Sequence, residues 1–158
     1  MTDVLMRELA DRVEISELIS RFYREVEAAN GHPERLGPDW ERSYFTPDVR
    51  VEYPFAVLEG IELVGRSLRD ATGMFAAVHV LTTDHEIRID GDRAFARWNT
   101  YNTHVHHPGF AAEHGELFVV GDRFTGDLVR TADGWRFATQ TLEVIWSRGT
   151  PPPPPIPE

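Results

Sequence analysis

The sequence predicts a single α+β domain in which helices come first and a long antiparallel sheet follows. Over the first thirty residues, apolar side chains recur every three or four positions, which is the spacing of one helical face. From residue 49 onward the period falls to two, as in strands with one buried face. Long alternating runs are then separated by short Asp/Gly turns, which are typical of hairpins. A length of 158 residues is that of one domain.

The helical part begins with a long helix within the first thirty residues. Asp11 and Glu14 resemble a capping box, and Asn30-Gly31 is a typical C-terminal stop. A loop that contains Pro and Gly leads to a short helix over 39–45. A third helix is predicted over 65–78, because Leu, Ala, Met, Phe and Val side chains there share one side.

The strand-rich remainder starts with a short strand over 49–53, which Pro54 stops. Two hairpins follow, the first over 85–90 and 92–105 and the second over 124–131 and 135–146. Strands of twelve or more residues are longer than usual, so we expect a strongly curved sheet with bulges. A curved sheet wrapped around the first helix would leave a cone-shaped pocket, which is the default place for a ligand.

The chain ends in a proline-rich segment. Residues 151–158 contain six of the eleven prolines. Five consecutive prolines favour an extended polyproline conformation. We therefore expect a domain over 1–150 and a flexible tail over 151–158 that lies outside it.

The composition excludes several kinds of chemistry. There is no cysteine, and all 16 basic residues are arginine. Without Lys, the chain cannot form a Schiff base, anchor pyridoxal phosphate or supply a P-loop lysine. Without Cys, thiol catalysis, disulfides, thiolate zinc sites and Cys-ligated iron–sulfur clusters are excluded.

The charge pattern bears on partners and location. The net charge is −10, and an acidic chain with scattered arginines repels phosphate backbones, so no nucleic-acid partner is expected. No apolar run approaches the ~20 residues of a membrane span, and the N-terminus lacks a basic-then-apolar signal. The protein is therefore expected to be cytoplasmic, with no membrane partner.

Several short motifs follow one another along residues 8–147. They are Asp11-Arg12-x-x-Ile15-x-x-Leu18-Ile19-x-x-Phe22-Tyr23, Trp40-x-x-x-Tyr44-Phe45-Thr46-Pro47-Asp48, Ile89-Asp90-Gly91-Asp92-x-Ala94 and Val129-Arg130-Thr131-x-Asp133-Gly134-Trp135-Arg136-Phe137. With His79 ahead of a strand, this order resembles the SnoaL-like domains of the NTF2-like superfamily. The resemblance implies a cone-shaped fold in which N-terminal helices pack on the curved sheet and enclose a pocket. It leaves the activity open, because the superfamily includes dehydratases, a dehydrochlorinase, isomerases, epoxide hydrolases, polyketide cyclases and non-catalytic binding domains.

The resemblance implies proton transfer by a histidine base. Scytalone-dehydratase-like and hexachlorocyclohexane-dehydrochlorinase-like relatives carry their catalytic histidine at the place matching His79, expected at the end of the third helix. Glu27 matches the acid that holds the imidazole in dehydrochlorinase-like relatives, where the usual residue is Asp. Asn30 matches the position of the Asp in scytalone-dehydratase-like relatives. A core or helix-capping histidine and a solvated helix carboxylate are the alternatives for His79 and Glu27.

A second pocket histidine is implied at His104. Alternation along 92–105 places His104 on one face with two alanines, Trp98 and Asn102, which together would form a pocket wall with an aromatic surface and polar groups. The alternative is an ordinary solvent-facing strand, which would be unusual for Trp98.

The remaining candidates are aromatic or basic. Tyr53 matches a pocket tyrosine of scytalone-dehydratase-like relatives, and Tyr23 is a second hydroxyl donor that could stabilise an oxyanion. Phe22, beside Tyr23 on the first helix, is expected to contact the substrate. Arg130 lies near a pocket arginine of dehydrochlorinase-like relatives. Core aromatics and a surface arginine are the alternatives.

A metal site is not expected. His104-Val105-His106-His107 with His114 offers imidazoles at two-residue spacing. No acid has an obvious ligand position nearby, and SnoaL-like relatives generally work without metals. We therefore expect no metal and no cofactor.

These observations favour a cofactor-independent lyase of the dehydratase type, or an isomerase or cyclase, acting on a small apolar cyclic or aromatic substrate. His79 is the expected base, and Glu27 the acid that orients it. One alternative is a non-catalytic ligand-binding or assembly module. A third is an epoxide hydrolase, which would need a carboxylate–arginine–carboxylate cluster around a water. The resemblance also implies a homodimer or homotrimer, because oligomers of such relatives commonly form through the outer face of the sheet.

Overall fold

The computed structural model describes residues 1–155 and shows helices packed on one curved, open sheet of six strands. The helices are α1 (Thr2–Ala28), α2 (Ile61–Ala71) and α3 (Pro108–His114), with 3-10 turns at Pro33–Arg35 and Trp40–Ser43. The strands are β1 (Phe45–Tyr53), β2 (Ala56–Glu59), β3 (Ala77–Asp90), β4 (Arg93–Val105), β5 (Leu117–Thr131) and β6 (Gly134–Arg148). The predicted α+β class and both predicted hairpins are confirmed.

The sheet has the order β2-β1-β6-β5-β4-β3. Neighbouring strands are antiparallel except β1 and β6, which run parallel, so the expected antiparallel sheet is mixed. The register shifts in the long strands, at residues 83–86 of β3 and at 121–122 and 125–128 of β5. These irregularities allow strands of 13 to 15 residues to bend around α1.

Two predicted helix boundaries are wrong. The third helix, predicted over 65–78, is observed as α2 over Ile61–Ala71, and the chain enters β3 at Ala77. Gly73, with a φ of +85°, separates the two elements. The capping box predicted at Asp11 is also absent, because α1 begins at Thr2 and Asp11 lies buried within it.

Helix α1 runs along the free edge of β3 and bonds to it. The Arg12 guanidinium donates to the carbonyl of Ile87, and Ser16 Oγ lies 2.8 Å from His85 Nδ1. Polar groups of an uncovered edge strand would otherwise be open to another chain. The core then forms between the apolar side of α1 and the inner face of the sheet, with Ile15, Trp98 and Trp135 at most 1% exposed.

The proline run does not extend away from the domain. Pro152, Pro154 and Pro155 are half-buried, and the run lies against the open end of the sheet. The expectation of a tail outside the domain is therefore wrong for residues 151–155, while residues 156–158 lie outside the described part of the chain. No helix among the described residues is long and apolar enough to cross a membrane.

Candidate functional site

The interior between α1, the segment after α2 and the inner face of the sheet holds a cavity of two adjoining chambers. The inner chamber has a volume of about 240 Å³, and the outer chamber one of about 480 Å³. Seven residues line both chambers: Tyr53, Leu68, Ala71, Met74, Phe75, Asn102 and His104. The cone-shaped pocket predicted from the sequence is thus present, and β4 supplies its polar wall.

His104 stands between two aromatic rings in this wall. Its ring centroid lies 4.3 Å from that of Phe75 and 5.3 Å from that of Phe118. Its Nδ1 is 3.1 Å from the carbonyl oxygen of Phe118, and since a carbonyl only accepts, Nδ1 carries the proton. Burial lowers the pKa of His104 below its ordinary value. The imidazole is therefore neutral near pH 7, with Nε2 as its basic atom.

Asp122 is the carboxyl of the outer chamber. It is 6% exposed, and its Oδ2 accepts a hydrogen bond of 2.7 Å from Asn102 Nδ2, which also donates to Thr100 at 3.0 Å. Its other oxygen, Oδ1, is buried and has no hydrogen-bond partner among residues 1–155. Burial raises the pKa of Asp122 to about 6. A carboxyl with this pKa exchanges a proton in the range where enzymes work.

Two tyrosines add hydroxyl groups. The Tyr23 hydroxyl accepts a hydrogen bond of 3.1 Å from Trp98 Nε1 and belongs to the inner chamber, and Tyr53 lines both chambers. Burial raises the pKa of Tyr23, and that of Tyr53 to about 12. Both hydroxyls therefore keep their protons and can donate them as hydrogen bonds.

The rest of the lining is neutral. Neither chamber is lined by an arginine, and Asp122 is the one carboxylate among their lining residues in the described chain. Aromatic rings of Phe22, Phe45, Phe75 and Phe124 supply much of the apolar wall. The site therefore suits an uncharged ligand, because a bound carboxylate or phosphate would find no cationic partner there.

The structure does not place His79 in the cavity. His79 is exposed on the outer face of β3, while its neighbours Val78 and Val80 point inward and line the inner chamber. Alternation along a strand puts successive side chains on opposite faces. The expectation that His79 is the cavity's base rested on a helix at this position and is wrong.

The Glu27 carboxylate also lies outside the cavity. Its Oε1 accepts a hydrogen bond from the backbone N–H of Val80, at the edge of β3, and it is not among the residues that line either chamber. Its carboxylate thus fastens α1 to the edge strand. The predicted role as orienting acid for His79 is therefore also wrong.

Asn30 and Trp98 hold in place the residues that surround the cavity. Asn30 lines the inner chamber, but its amide bonds to the segment above it, with Nδ2 donating to the carbonyl of Phe75 at 3.2 Å and Oδ1 accepting from the N–H of Gly73 at 3.4 Å. Trp98 is 1% exposed and stacks on Phe124 at 5.3 Å, so it forms part of the core under the chamber. Asn30 positions the covering segment, and Trp98 positions Tyr23.

Arg130 binds two carboxylates outside the cavity. Its Nη1 and Nη2 each donate to Asp11 at 2.7 Å, and its Nε donates to Asp92 at 2.9 Å. Its guanidinium lies 4.5 Å from the Trp135 ring, whose Nε1 also donates to Asp11 at 3.1 Å. This is a carboxylate–arginine–carboxylate cluster, yet neither chamber touches it. The prediction that Arg130 binds substrate is wrong, because its donors are bound to Asp11 and Asp92.

A separate depression of about 510 Å³ lies between α1 and the turn at Trp40–Ser43. One of the four carboxylates that line it in the described chain, that of Glu25, accepts hydrogen bonds of 2.5 Å from Trp40 Nε1 and from the Tyr44 hydroxyl. These bonds leave Glu25 fixed as part of the helix–turn packing. Within residues 1–155 no cluster of three or more His, Asp or Glu side chains could hold a metal ion.

The sequence prediction missed Asp122 because the predicted strand begins at residue 124. Extending the alternation of Phe124 back through Asp122 to Val120 would have placed the carboxyl on the inner face, opposite Thr100 of β4. Gln140 is buried on β6 and lines the inner chamber, and the alternation of side chains along β6 could have predicted this position in the same way.

The chain is similar to known proteins over most of its length. The family model described as a SnoaL-like domain matches residues 7–141. An uncharacterized protein of Mycobacterium tuberculosis, Rv2910c, is 30% identical over 133 residues, which are 82% of each protein. The solved structure of the Kfla4162 protein from Kribbella flavida has a TM-score of 0.78 and 25% identity, and the match covers 89% of this chain and 95% of that one. A putative scytalone dehydratase from Novosphingobium aromaticivorans has a TM-score of 0.74 and 16% identity over 94% of this chain and 91% of its own.

Proposed function

The chain belongs to the family of SnoaL-like domains, whose structural neighbours share the NTF2-like fold, and we propose that it is a cofactor-independent proton-transfer enzyme. One observation carries the proposal: a neutral imidazole, His104, and a carboxyl of raised pKa, Asp122, line the same chamber. Pairs of titratable groups with separated roles are typical of acid–base sites. The reaction is of the lyase type, as in a dehydration, or an isomerisation or cyclisation.

His104 acts as the general base. The bond from Nδ1 to the Phe118 carbonyl fixes the ring and its tautomer, so the lone pair is on Nε2. Nε2 takes a proton from a carbon next to an activating group of the substrate. A neutral imidazole is the competent form, and burial between Phe75 and Phe118 favours it.

Asp122 acts as the general acid. In a dehydration, the electron pair of the broken C–H bond forms a C=C bond, and the C–O bond to the leaving hydroxyl breaks. The hydroxyl takes the carboxyl proton of Asp122 and departs as water. The proton on His104 then returns to Asp122 through solvent, which restores both groups for the next turnover. In an isomerisation, the proton is returned to another carbon of the substrate instead.

The two tyrosines stabilise the developing oxyanion. Tyr23 receives a hydrogen bond from Trp98, which directs its own proton away from the indole. Tyr53 lies at the junction of the chambers. A hydroxyl that donates to a carbonyl oxygen of the substrate lowers the barrier most when water is excluded.

The substrate that fits this site is small, neutral and cyclic or aromatic. Phenylalanine rings face it from α1, β1, the segment after α2 and β5. The amides of Asn102 and Gln140 offer hydrogen bonds without charge. The structural neighbour named a putative scytalone dehydratase makes dehydration the first of these reactions to assay.

A non-catalytic ligand-binding module is the second candidate. It is favoured by one observation: neither His79 nor Glu27, the pair that the family resemblance implies, faces the cavity. Such a module would need the same neutral cavity but no proton transfer.

The test measures proton transfer directly. Wild-type protein is incubated in deuterated water with a panel of neutral cyclic and aromatic hydroxyketones, and deuterium uptake and loss of water are followed by NMR and mass spectrometry. We expect His104→Gln and Asp122→Asn each to slow the reaction by about 100-fold or more, the usual contribution of a general acid or base. Binding of the same compounds should change much less.

His79→Gln is the matched control, because it makes the same change on the outer face of the sheet. It should leave the rate unchanged. A wild-type rate that persists in His104→Gln would overturn the proposal. Compounds that bind without any deuterium uptake or turnover would favour the binding module.

A further inference from the structure

The chain turns sharply after its last strand. β6 ends at Arg148, and Gly149 follows with a φ of +91°. A Cβ at this position would overlap the carbonyl oxygen of Leu117 and lie 3.1 Å from Phe118 Cα. Glycine alone combines this backbone angle with so close an approach. The turn sends the prolines that follow against the outer chamber.

The proline run presents one side to the cavity. Pro151, Pro152, Pro154 and Pro155 line the outer chamber and Pro153 does not. Pro152, Pro154 and Pro155 are half-buried, whereas Pro151 and Pro153 are exposed. The lining positions recur after three residues, from 151 to 154 and from 152 to 155, and both members of the second pair are half-buried. Three residues per turn is the period of a polyproline helix.

Proline suits this place chemically. A polyproline segment has no backbone N–H groups, so it can cover an apolar chamber without leaving donors unpaired. Its fixed φ also lowers the conformational entropy lost when the segment is held in place. The run can therefore close the chamber with no unpaired N–H donor and with a small loss of conformational entropy.

The chamber that the prolines close is the one that holds the acid and the base. Tyr53, Asn102, His104 and Asp122 line it together with the proline run. We propose that residues 151–155 form a strap that is the outer wall of the substrate cavity, with Pro152 and Pro155 in contact with the bound molecule and slowing its release. The identity of that molecule as a substrate rests on the proposed function, whereas the placement of the strap does not.

The first experiment measures whether the strap is seated. The natural chain has no cysteine, so each of Pro152→Cys, Pro155→Cys and Pro153→Cys carries a single thiol. Their reaction rates with a water-soluble disulfide reagent are compared in the native protein and in denaturant. We expect the thiols at 152 and 155 to react about threefold or more slowly than that at 153, since access limits the rate. In denaturant the three should react alike.

The second experiment measures ligand release. Wild type, the double variant Pro152→Ser/Pro155→Ser and the control Pro153→Ser are loaded with the neutral fluorophore N-phenyl-1-naphthylamine, and its dissociation is followed by stopped-flow fluorescence. The double variant should release the probe about threefold or more faster, while the control matches wild type. Gly149→Ala, which breaks the turn, should behave like the double variant.

Each result either supports or contradicts the strap. Slow thiols at 152 and 155 together with fast release from the double variant support the strap. Equal thiol rates at all three positions in the native protein would overturn it, as would protected thiols with unchanged release. The thiol experiment involves neither His104 nor Asp122, so a failure of the strap and a failure of the proposed catalytic pair give separate signals.

Discussion

At the scale of single residues, two aspartates show how surroundings set the charge of a side chain. Asp11 is met by the Arg130 guanidinium, which holds the pKa of this carboxyl below its ordinary value. Asp122 meets the neutral side chains of Asn102 and Thr100, and burial raises its pKa to about 6. Environments that separate the pKa values of like groups give them different tasks. Asp11 therefore stays ionised near neutral pH, whereas Asp122 can exchange a proton.

The proposed pair predicts a bell-shaped pH dependence. Turnover needs His104 neutral, so kcat/KM should rise with pH through the pKa of His104, which burial lowers from its ordinary value of 6.5. It also needs Asp122 protonated, so kcat/KM should fall as pH rises through about 6. The maximum is therefore expected on the acid side of neutrality, measured as kcat/KM between about pH 4 and pH 8.

Asp122→Asn provides the control for this profile, because it cannot lose a proton. Its small residual rate should lose the alkaline fall and keep the acidic one. A wild-type profile that stays flat across the acid range would contradict the assignment of both groups.

At the scale of elements, the point at which β3 begins decides whether His79 faces the cavity. The spacing of Met74, Phe75 and Val78 fits a helix, but in the structure only Val78 belongs to a strand, and Met74 and Phe75 lie in the segment before it. Gly73 is the local signal that interrupts the helix, and long-range pairing with β4 then selects a strand from Ala77 onward. Once β3 begins at Ala77, His79 points outward and Val80 inward. Because the predicted end of the helix was wrong by a few residues, the histidine expected as the base lies outside the cavity.

The hairpins and the wall of β4 were predictable because their signals are local. Alternation along 92–105 correctly placed Trp98, Asn102 and His104 on one face, and Asp/Gly turns marked both hairpins. The parallel pairing of β1 with β6 was not predictable in this way, since it joins segments about 90 residues apart. The same limit applies to the proline run, whose seat on the cavity depends on the fold of the whole chain.

The contact of Asp11 with Arg130 joins α1 to the hairpins and predicts a stability difference. Asp11→Asn should lower the free energy of unfolding by about 3 kcal/mol, because the Arg130 guanidinium loses its buried, bidentate carboxylate partner and keeps only the exposed Asp92. Asp92→Asn is the matched control. Its side chain is 78% exposed, so the loss should stay below about 1 kcal/mol. Urea unfolding at neutral pH measures both.

The pH dependence of this loss has a defined sign. The folded pKa of Asp11 lies below the ordinary value of 3.8, so its contribution is fully present above that value. It disappears as pH falls through the lowered pKa and the folded carboxylate takes up a proton. Wild type and Asp11→Asn should therefore approach each other in stability at strongly acidic pH. Equal losses from Asp11→Asn and Asp92→Asn at neutral pH would contradict the role given to the buried pair.

At the scale of the whole molecule, charge and apolar surface are distributed unevenly. The chain has a net charge of −10, yet its cavity contains a single carboxyl among the described lining residues. The outer face of the sheet carries a transverse apolar row instead. In this row Leu81, Tyr101, Gly121 and Trp146 occupy paired positions on β3, β4, β5 and β6. The Trp146 indole covers Gly121 and lies 5.7 Å from the Tyr101 ring.

This row predicts how copies of the chain associate. Leu81, Tyr101 and Trp146 are 42–49% exposed, and a row of large apolar side chains on an open sheet face is typical of an interface. We expect a homodimer or homotrimer through this face, measured by light scattering as a multiple of 18.0 kDa. Trp146→Glu should shift the mass to that of the monomer, because a carboxylate would be buried without a partner.

Val13→Glu tests whether the effect belongs to the outer face of the sheet. Val13 is 62% exposed on α1, away from the row, so the same substitution there should leave the mass unchanged. Circular dichroism of both variants separates dissociation from unfolding. A wild-type protein that scatters as a monomer would contradict the interface. Since the row lies on the opposite face of the sheet from His104 and Asp122, dissociation by Trp146→Glu should leave turnover intact, which separates assembly from catalysis.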